Sequence, residues 1–543
     1  MSLKKLLYLI TILSLYFLNA SSLPCDLTQK NTIYYANDLK ELIKSGQKVS
    51  CIDATIIGDL NLTGLDLQID DDRLKIVNSP ISIIDSEIKG NIDFGNAHFK
   101  KPLDFRGSTF SGQHLNLKIS EFASYIDFSG AKIGCAADLS GARFDGGMSS
   151  LKTTWSERAN FDKIICNGHA LFRESEFQRG FSLRGAHMMD HVDFEDCSFN
   201  GEAYFSNSAF EKDATFLAAR FAEFTELKGA RFDQSAIFTR SRFHEIADFS
   251  GAQFANDTKF YYASFANSAD FSKAKFDVKT DFRKSVFDGF ADFSSTSFLG
   301  VALFDEAQFN KAARFANSTF IKNASFSDAY FDRDANFGAS RFASMLNLTN
   351  ATFNELALPW NVIDGRIIYD KATQLSLINN YKKLGWTRDY KNSYYNYREE
   401  KRISEPLGYA KALDTISLIY WGYGTKMYNP VAYILSSALI FAFIFYSLVR
   451  FKWAKVIKKS SQSGCERCPW AKTEEVHNGE LPFKEALIFS MKNLLPMEKP
   501  DDFKIKYAHI GKIIWIEIAV FGFLSAHFVN YLLEQVQSYF KPP

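Results

Sequence analysis

The stretch ADFSGAQFANDTKFYYASFANSADFSKAKF, residues 247–276, sets phenylalanine at Phe249, Phe254, Phe260, Phe265, Phe271 and Phe276. The steps alternate between five and six without slippage, so the repeating unit is eleven residues. No amphipathic helix has that period, and self-similarity at a fixed spacing marks a repeat architecture. Carried from Phe194 to Phe353, the register has thirty slots, and all but Leu227 and Leu348 hold Phe. Two residues before the slots stand small residues, among them Ala203, Ala214, Ala236, Ala247, Ala269, Ala291, Ala302, Ala313, Ala324 and Ala335. This alternation predicts a narrow four-sided solenoid: each Phe turns inward and stacks on the Phe one coil away, and the small residue points inward beside it. Two units close a coil, so residues 94–353 make about twelve coils, roughly 55–60 Å long at the spacing of paired strands. One repeat alone buries too little to be stable, so the coils hold each other.

Upstream the register runs through Phe94, Phe99, Phe105 and Phe110, then shifts by one residue to Leu117, Phe122, Phe128, Ile133, Leu139 and Phe144. Ser150 and Trp155 break the pattern before Phe161 and Cys166 resume it, which predicts a bulge or loop near 146–158. Residues 52–93 keep strand-like alternation and read as imperfect first coils that cap the rod.

The tandem pattern, Leu or Phe at the centre of five residues with Ala two before it, resembles the pentapeptide-repeat family. That resemblance implies a mainly β fold, a right-handed quadrilateral β-helix. Some members of the family inhibit DNA gyrase by imitating DNA, which requires a strongly acidic surface in the cytoplasm. Residues 94–353 carry 29 Lys/Arg against 32 Asp/Glu, a net of −3, which does not fit such mimicry. The whole chain has a formal charge of +1, so no global field attracts nucleic acid, and none is expected as a partner.

The first residues give a Lys4/Lys5 basic region, an apolar run from Leu6 to Leu18, and Ala20 and Ser22 as a small-residue cleavage pair. They read as an export signal over 1–22, which places the following 400 or so residues outside the cytoplasm. Cys25 and Cys51 form a candidate disulfide in that compartment. Cys135, Cys166 and Cys197 fall within repeats and read as small buried hydrophobes.

The repeat stops at Trp360, and KATQLSLINNYKKLGWTRDYKNSYYNYREEKR takes helical spacing. Leu375, Ile378, Tyr381 and Leu384 make one face, Gly385 ends that helix, Tyr390, Tyr394 and Tyr397 mark a second, and the Arg398–Arg402 charge run reads as a solvated helix end. Residues 406–421, ending in Tyr420, Trp421 and Tyr423, read as a helix at a membrane interface. Val431–Val449 is apolar, uncharged and about one bilayer long. Arg450, Lys452, Lys455, Lys458 and Lys459 follow it without an acid among them, which assigns that end to the cytoplasm. A second span over 511–534 carries Glu517, Ser525, His527 and Asn530. An ionisable group there is costly unless paired or facing water, which makes Glu517 a candidate pore or helix contact.

Span, short apolar helix over 483–495, loop and span resemble the two-helix potassium-channel module. The helical hairpin and SLIYWGYG also resemble exported repeat proteins that carry such a module. Selective conduction needs a filter of backbone carbonyls after the pore helix, and here that place reads LLPMEKPDD. Gly422, Tyr423 and Gly424 precede the first span and cannot form it. Cys465 and Cys468 with His477 supply three of the four ligands a zinc site requires, so no metal or other cofactor is expected.

The sequence thus divides into a signal (1–22), N-terminal region with capping coils (23–93), β-helix (94–358), helical hairpin and interfacial helix (359–427), first span (428–450), cytoplasmic loop (451–510), second span (511–534) and tail (535–543). No constellation supports catalysis. The expected function is a binding or scaffold protein of a bacterial inner or plasma membrane, its partners the lipid bilayer and a protein or envelope component. The alternative is an oligomeric, tetrameric ion-channel-like protein with a degenerate filter and a repeat domain as sensor.

Overall fold

The computed structural model describes residues 32–426, 428–451, 455–458, 476–477, 482–494, 503–506 and 516. The chain divides into two units, 1–389 and 390–543.

The first unit is the solenoid. Each coil contributes one short strand to each of four faces, and every strand pairs in parallel with its counterpart one coil on, as Ala269–Asp270 does with Ala291–Asp292. One face stacks fourteen strands from Val49–Ile52 to Leu346–Asn347, the face that precedes it in each coil thirteen from Lys75–Val77 to Arg341–Phe342, and the remaining two form a single 27-stranded sheet. Phe249, Phe254, Phe260, Phe265, Phe271 and Phe276 are all buried. Their rings form continuous ladders: Phe249, Phe271 and Phe293 stack at 4.7 and 4.9 Å with interplanar angles of 9° and 2°. Neighbouring ladders meet edge to face, as Phe271 and Phe282 do at 5.2 Å and 85°, the geometry an aromatic quadrupole favours.

Corners turn on backbone. Residues after a ladder position adopt positive φ in alternate corners, including Lys273, Lys284, Ser295, Glu306, Asn317 and Asp328 at φ 56–60°. Such a conformation costs an L-residue roughly 1–2 kcal/mol, so stacking dictates the corner and the local sequence submits. Aspartates beside the corner help: Asp248, Asp270 and Asp292 each accept from the backbone N–H two residues on, at 2.8, 2.7 and 2.8 Å. The hydroxyls among the small inward residues are satisfied too. Ser241, Thr296 and Ser318 donate to the carbonyls of Phe216, Phe271 and Phe293 at 3.0, 2.8 and 2.6 Å, and Cys197 Sγ takes the same place on Phe172 at 2.8 Å. Cys135, Cys166 and Cys197 are buried as expected. Burial pushes the Cys135 thiol up to about 11 and that of Cys166 to about 12, so neither is a nucleophile at neutral pH.

Two expectations about the solenoid need correction. No loop interrupts 146–158: Met148 pairs with Ala170 and Thr154 with Glu176 in unbroken register. Trp155 takes a ladder slot, lying parallel to Phe177 at 11°, and Ser150 stands where the adjacent ladder has a Phe. The smaller residue makes room for the indole and accepts its N–H at 3.0 Å. The two departures are one compensated exchange. The one-residue shift, by contrast, is real, and it is absorbed at the corner of Ser111 to His114, after which Leu115 pairs with Ile92. Residues 52–93 are the first coils, as expected, with the first-face strand beginning at Val49, but they do not end the solenoid. The cap is upstream: Thr32–Tyr35 pairs with Ala54–Ile57, and helix α1 (Ala36–Lys44) buries Ala36, Leu39 and Ile43. An open sheet edge is a template for aggregation, and here the solenoid's first edge is covered.

The last coil is closed by side chains. After helix α2 (Trp360–Ile363), the segment 366–368 bonds both ways to Leu346 at 2.8 and 2.9 Å. From helix α3 (Lys371–Lys383), Asn380 accepts from Leu356 N at 3.0 Å and donates to Leu356 O at 2.8 Å. Thr373 donates to Leu348 O at 3.0 Å, continuing the hydroxyl ladder one step beyond the strands, and Tyr381 donates to Leu358 O at 2.8 Å. The buried face of α3 is therefore Thr373, Gln374, Leu377, Ile378, Asn380 and Tyr381, while Leu375, expected inside, is exposed. The polar residues win because an exposed strand edge offers hydrogen bonds that leucine cannot make. Gly385, at φ 71°, follows the helix as expected.

Candidate functional site

Helix α4 (Thr387–Ser404) contains the division between the units. In the second unit it is followed by α5 (Tyr409–Trp421), α6 (Tyr428–Arg450) and α7 (Phe483–Leu494). Arg398 is not the solvated helix end its sequence suggests. Its guanidinium pairs with Asp414 of α5, donates to the Tyr394 hydroxyl at 3.0 Å and lies 4.9 Å from the Tyr423 ring centre. The ring faces supply a negative surface for the cation, and a helix–helix contact replaces water. Burial raises the Tyr423 hydroxyl above its ordinary range, with the nearby Arg402 acting in the opposite sense. Gly422, Tyr423 and Gly424 all have positive φ and form the turn that ends α5, not a filter.

Another side of α5 is apolar and open: Tyr409, Leu413, Ile416 and Ile419 are exposed, as is Leu407 just before the helix. The same holds for Leu435, Leu439, Ile440 and Phe443 of α6, while Ala438, Ala442 and Phe445 are buried. Val431–Arg450 is long and apolar enough to cross a membrane. Helix α7 packs against α6, with Tyr446 edge-on to Phe483 at 6.0 Å. The helix expected over 483–495 thus forms. The signal 1–22, Cys25, Cys465, Cys468, Glu517 and nearly all of the span 511–534 lie outside the described residues.

On the solenoid, His187 and His191 point from different parts of the coil, as their spacing implies. His187 bonds to Glu211, whereas the His191 ring lies tilted at 30° to that of His169, ring centres 5.7 Å apart. A tighter cluster escaped the sequence. Between Leu62 and Val77 the chain leaves the regular path and folds back on itself through an antiparallel bridge of Ile69 with Lys75. This excursion delivers Asp70 to His98, with Asp70 Oδ2 2.9 Å from Nδ1. Glu121, which pairs with His98 across adjacent coils, puts Oε2 3.6 Å from the same nitrogen. All three are partly sheltered, their side chains 17, 14 and 27% exposed. Asp70 Oδ1 also accepts from Leu74 N at 2.8 Å. The hydrogen bond from His98 and the backbone contact hold its carboxyl below the usual range. Lys100 Nζ lies 3.0 Å from Nδ1 and 2.8 Å from Nε2 of His98. The three residues are 28 and 23 positions apart in sequence, so no local motif could announce them.

Residues 194–242, 238–286, 282–329 and 293–341 match a family model described as pentapeptide repeats, in nine copies. No curated protein and no solved structure matches the chain. The family match lies wholly within the solenoid and does not extend to the C-terminal helices. Residues 194–341 of the solenoid are thus similar to pentapeptide repeats, and the same ladders and four faces continue on both sides of the matched stretch.

Proposed function

We propose that this protein is a membrane-anchored, extracytoplasmic scaffold whose repeat faces bind a protein or envelope component and which catalyses nothing. The observation that carries the anchor is the open apolar surface of α5 and α6, including Leu413, Ile416, Leu439 and Phe443. Leaving such residues in water is unfavourable by about 25 cal/mol per Å²; in a bilayer they meet acyl chains instead. The α5 face suits the interface and α6 suits the span. Arg398 and Asp414 fix α5 to α4 from the other side, so the polar face is used internally and the apolar face is left for lipid. An exported solenoid followed by an inward-running α6 agrees with the lysines after Arg450. Alkaline carbonate extraction of membranes from cells expressing the full chain tests the anchor: retention in the pellet supports it, and release into the supernatant refutes it.

The packing of α7 on α6 favours a second reading, an oligomeric channel-like assembly in which α7 acts as a pore helix and Glu517 as a pore or subunit contact. A discrete tetramer of the full chain in nanodiscs would favour it; a monomer would leave the scaffold reading alone.

A further inference from the structure

We propose that Asp70, His98 and Glu121 form a divalent transition-metal site on the side of the solenoid. The argument begins with spacing. Bonds of about 2.0–2.2 Å from zinc to histidine nitrogen and carboxylate oxygen put neighbouring ligand atoms about 3.0–3.4 Å apart in octahedral or tetrahedral geometry. The observed separations from His98 Nδ1 are 2.9 Å to Asp70 and 3.6 Å to Glu121, and all three ligand atoms lie within 4.8 Å of one another. Imidazole with two carboxylates suits zinc, manganese or ferrous iron.

The backbone sets up the cluster. His98 and Glu121 are held on adjacent rungs by strand pairing, and Asp70 arrives on an excursion that the repeat pattern does not require. That excursion is itself fixed by the Ile69–Lys75 bridge and by Asp70 Oδ1 on Leu74 N. Asp70 and Glu121 converge on Nδ1 of His98, and the Lys100 ammonium stands 3.0 Å from Nδ1 and 2.8 Å from Nε2, beside the two carboxylates. A cation held by the three ligands would repel the ammonium, which sits on an exposed stem and can move away. Lys100 is thus a built-in competitor for the cation site.

The test uses the full-length chain in detergent with Cys465 and Cys468 replaced by serine, so that those thiols cannot bind metal. Cobalt(II), at micromolar concentration, is titrated by calorimetry and by its visible absorption. One equivalent should bind, His98→Gln and Asp70→Asn should abolish that binding, and Lys100→Met should tighten it at least several-fold. The gain in Lys100→Met cannot arise from misfolding. Absence of binding in the parent, binding that persists in His98→Gln, or unchanged affinity in Lys100→Met would each overturn the site.

Discussion

Replacing Phe271 by alanine should open the solenoid locally and nowhere else. The ring is fully buried, stacks on Phe249 and Phe293 at 4.7 and 4.9 Å, and meets Phe260 and Phe282 edge-on at 5.3 and 5.2 Å. Truncating a buried Phe to Ala costs about 3–5 kcal/mol, because the cavity adds to the lost transfer free energy. Two parallel stacks, each worth about 0.5–1.5 kcal/mol beyond area, place this ring in the upper half of that range, near 4 kcal/mol. Phe271→Leu keeps most of the buried volume but gives up both stacks, so it should cost about 1–1.5 kcal/mol, the low end of what the stacks contribute. The fold itself uses that exchange, with Leu227 in the same ladder one coil before Phe249. Hydrogen exchange of the full chain, followed by mass spectrometry, reads both values. At about 1.4 kcal/mol per decade, amides between residues 238 and 304 should exchange roughly a thousandfold faster in Phe271→Ala and about tenfold faster in Phe271→Leu. Repeats couple mainly to their neighbours, so residues 94–144 should keep parental rates. Equal acceleration in the two variants, or acceleration spread evenly along the solenoid, would refute the reasoning.

Ser150 and Trp155 should behave as a pair. Ser150→Phe overpacks and Trp155→Phe leaves a gap, while the double variant restores the common ladder, so thermal unfolding should reveal a favourable coupling of about 1 kcal/mol or more. Asn380→Ala removes both bonds to Leu356: the backbone N–H loses its partner, at about 1–3 kcal/mol, while the carbonyl keeps the N–H of Leu358 at 3.0 Å; limited proteolysis should cut first near residues 341–358. Acid should release the 62–77 excursion. The Asp70 carboxyl lies below its ordinary value in the folded chain, so its contribution is present above that ordinary value of 3.8 and is lost as the pH falls below it. Proteolysis at Arg73 should therefore accelerate below about pH 4, and Asp70→Asn should remove that pH dependence.

The solenoid was legible because one property, ring stacking every 22 residues, fixes both sequence and geometry. Departures from the pattern were harder. Ser150 and Trp155 each look like a fault when read singly and compensate only when the coil brings them together. The N-terminal cap lay upstream of its expected place because the segment 32–44, which pairs with Ala54–Ile57 and buries Ala36, Leu39 and Ile43, carries no repeat period; at the other end Asn380 and Thr373 close strand edges by hydrogen bonds, which hydrophobic periodicity does not register. Arg398 reads as a surface charge until α5 supplies Asp414. Asp70, His98 and Glu121 come from an excursion and two coils, so their meeting depends on tertiary structure alone. Helices α5, α6 and α7 were legible as segments, since length and apolar content determine them.

The most direct test of the scaffold account places Lys311→Cys on the exposed solenoid surface, with Cys465 and Cys468 replaced by serine, and labels intact cells with a membrane-impermeant maleimide. Equal labelling before and after lysis, on a chain recovered in the membrane pellet, is the predicted result. Labelling that requires lysis, or a labelled chain in the soluble fraction, would contradict it.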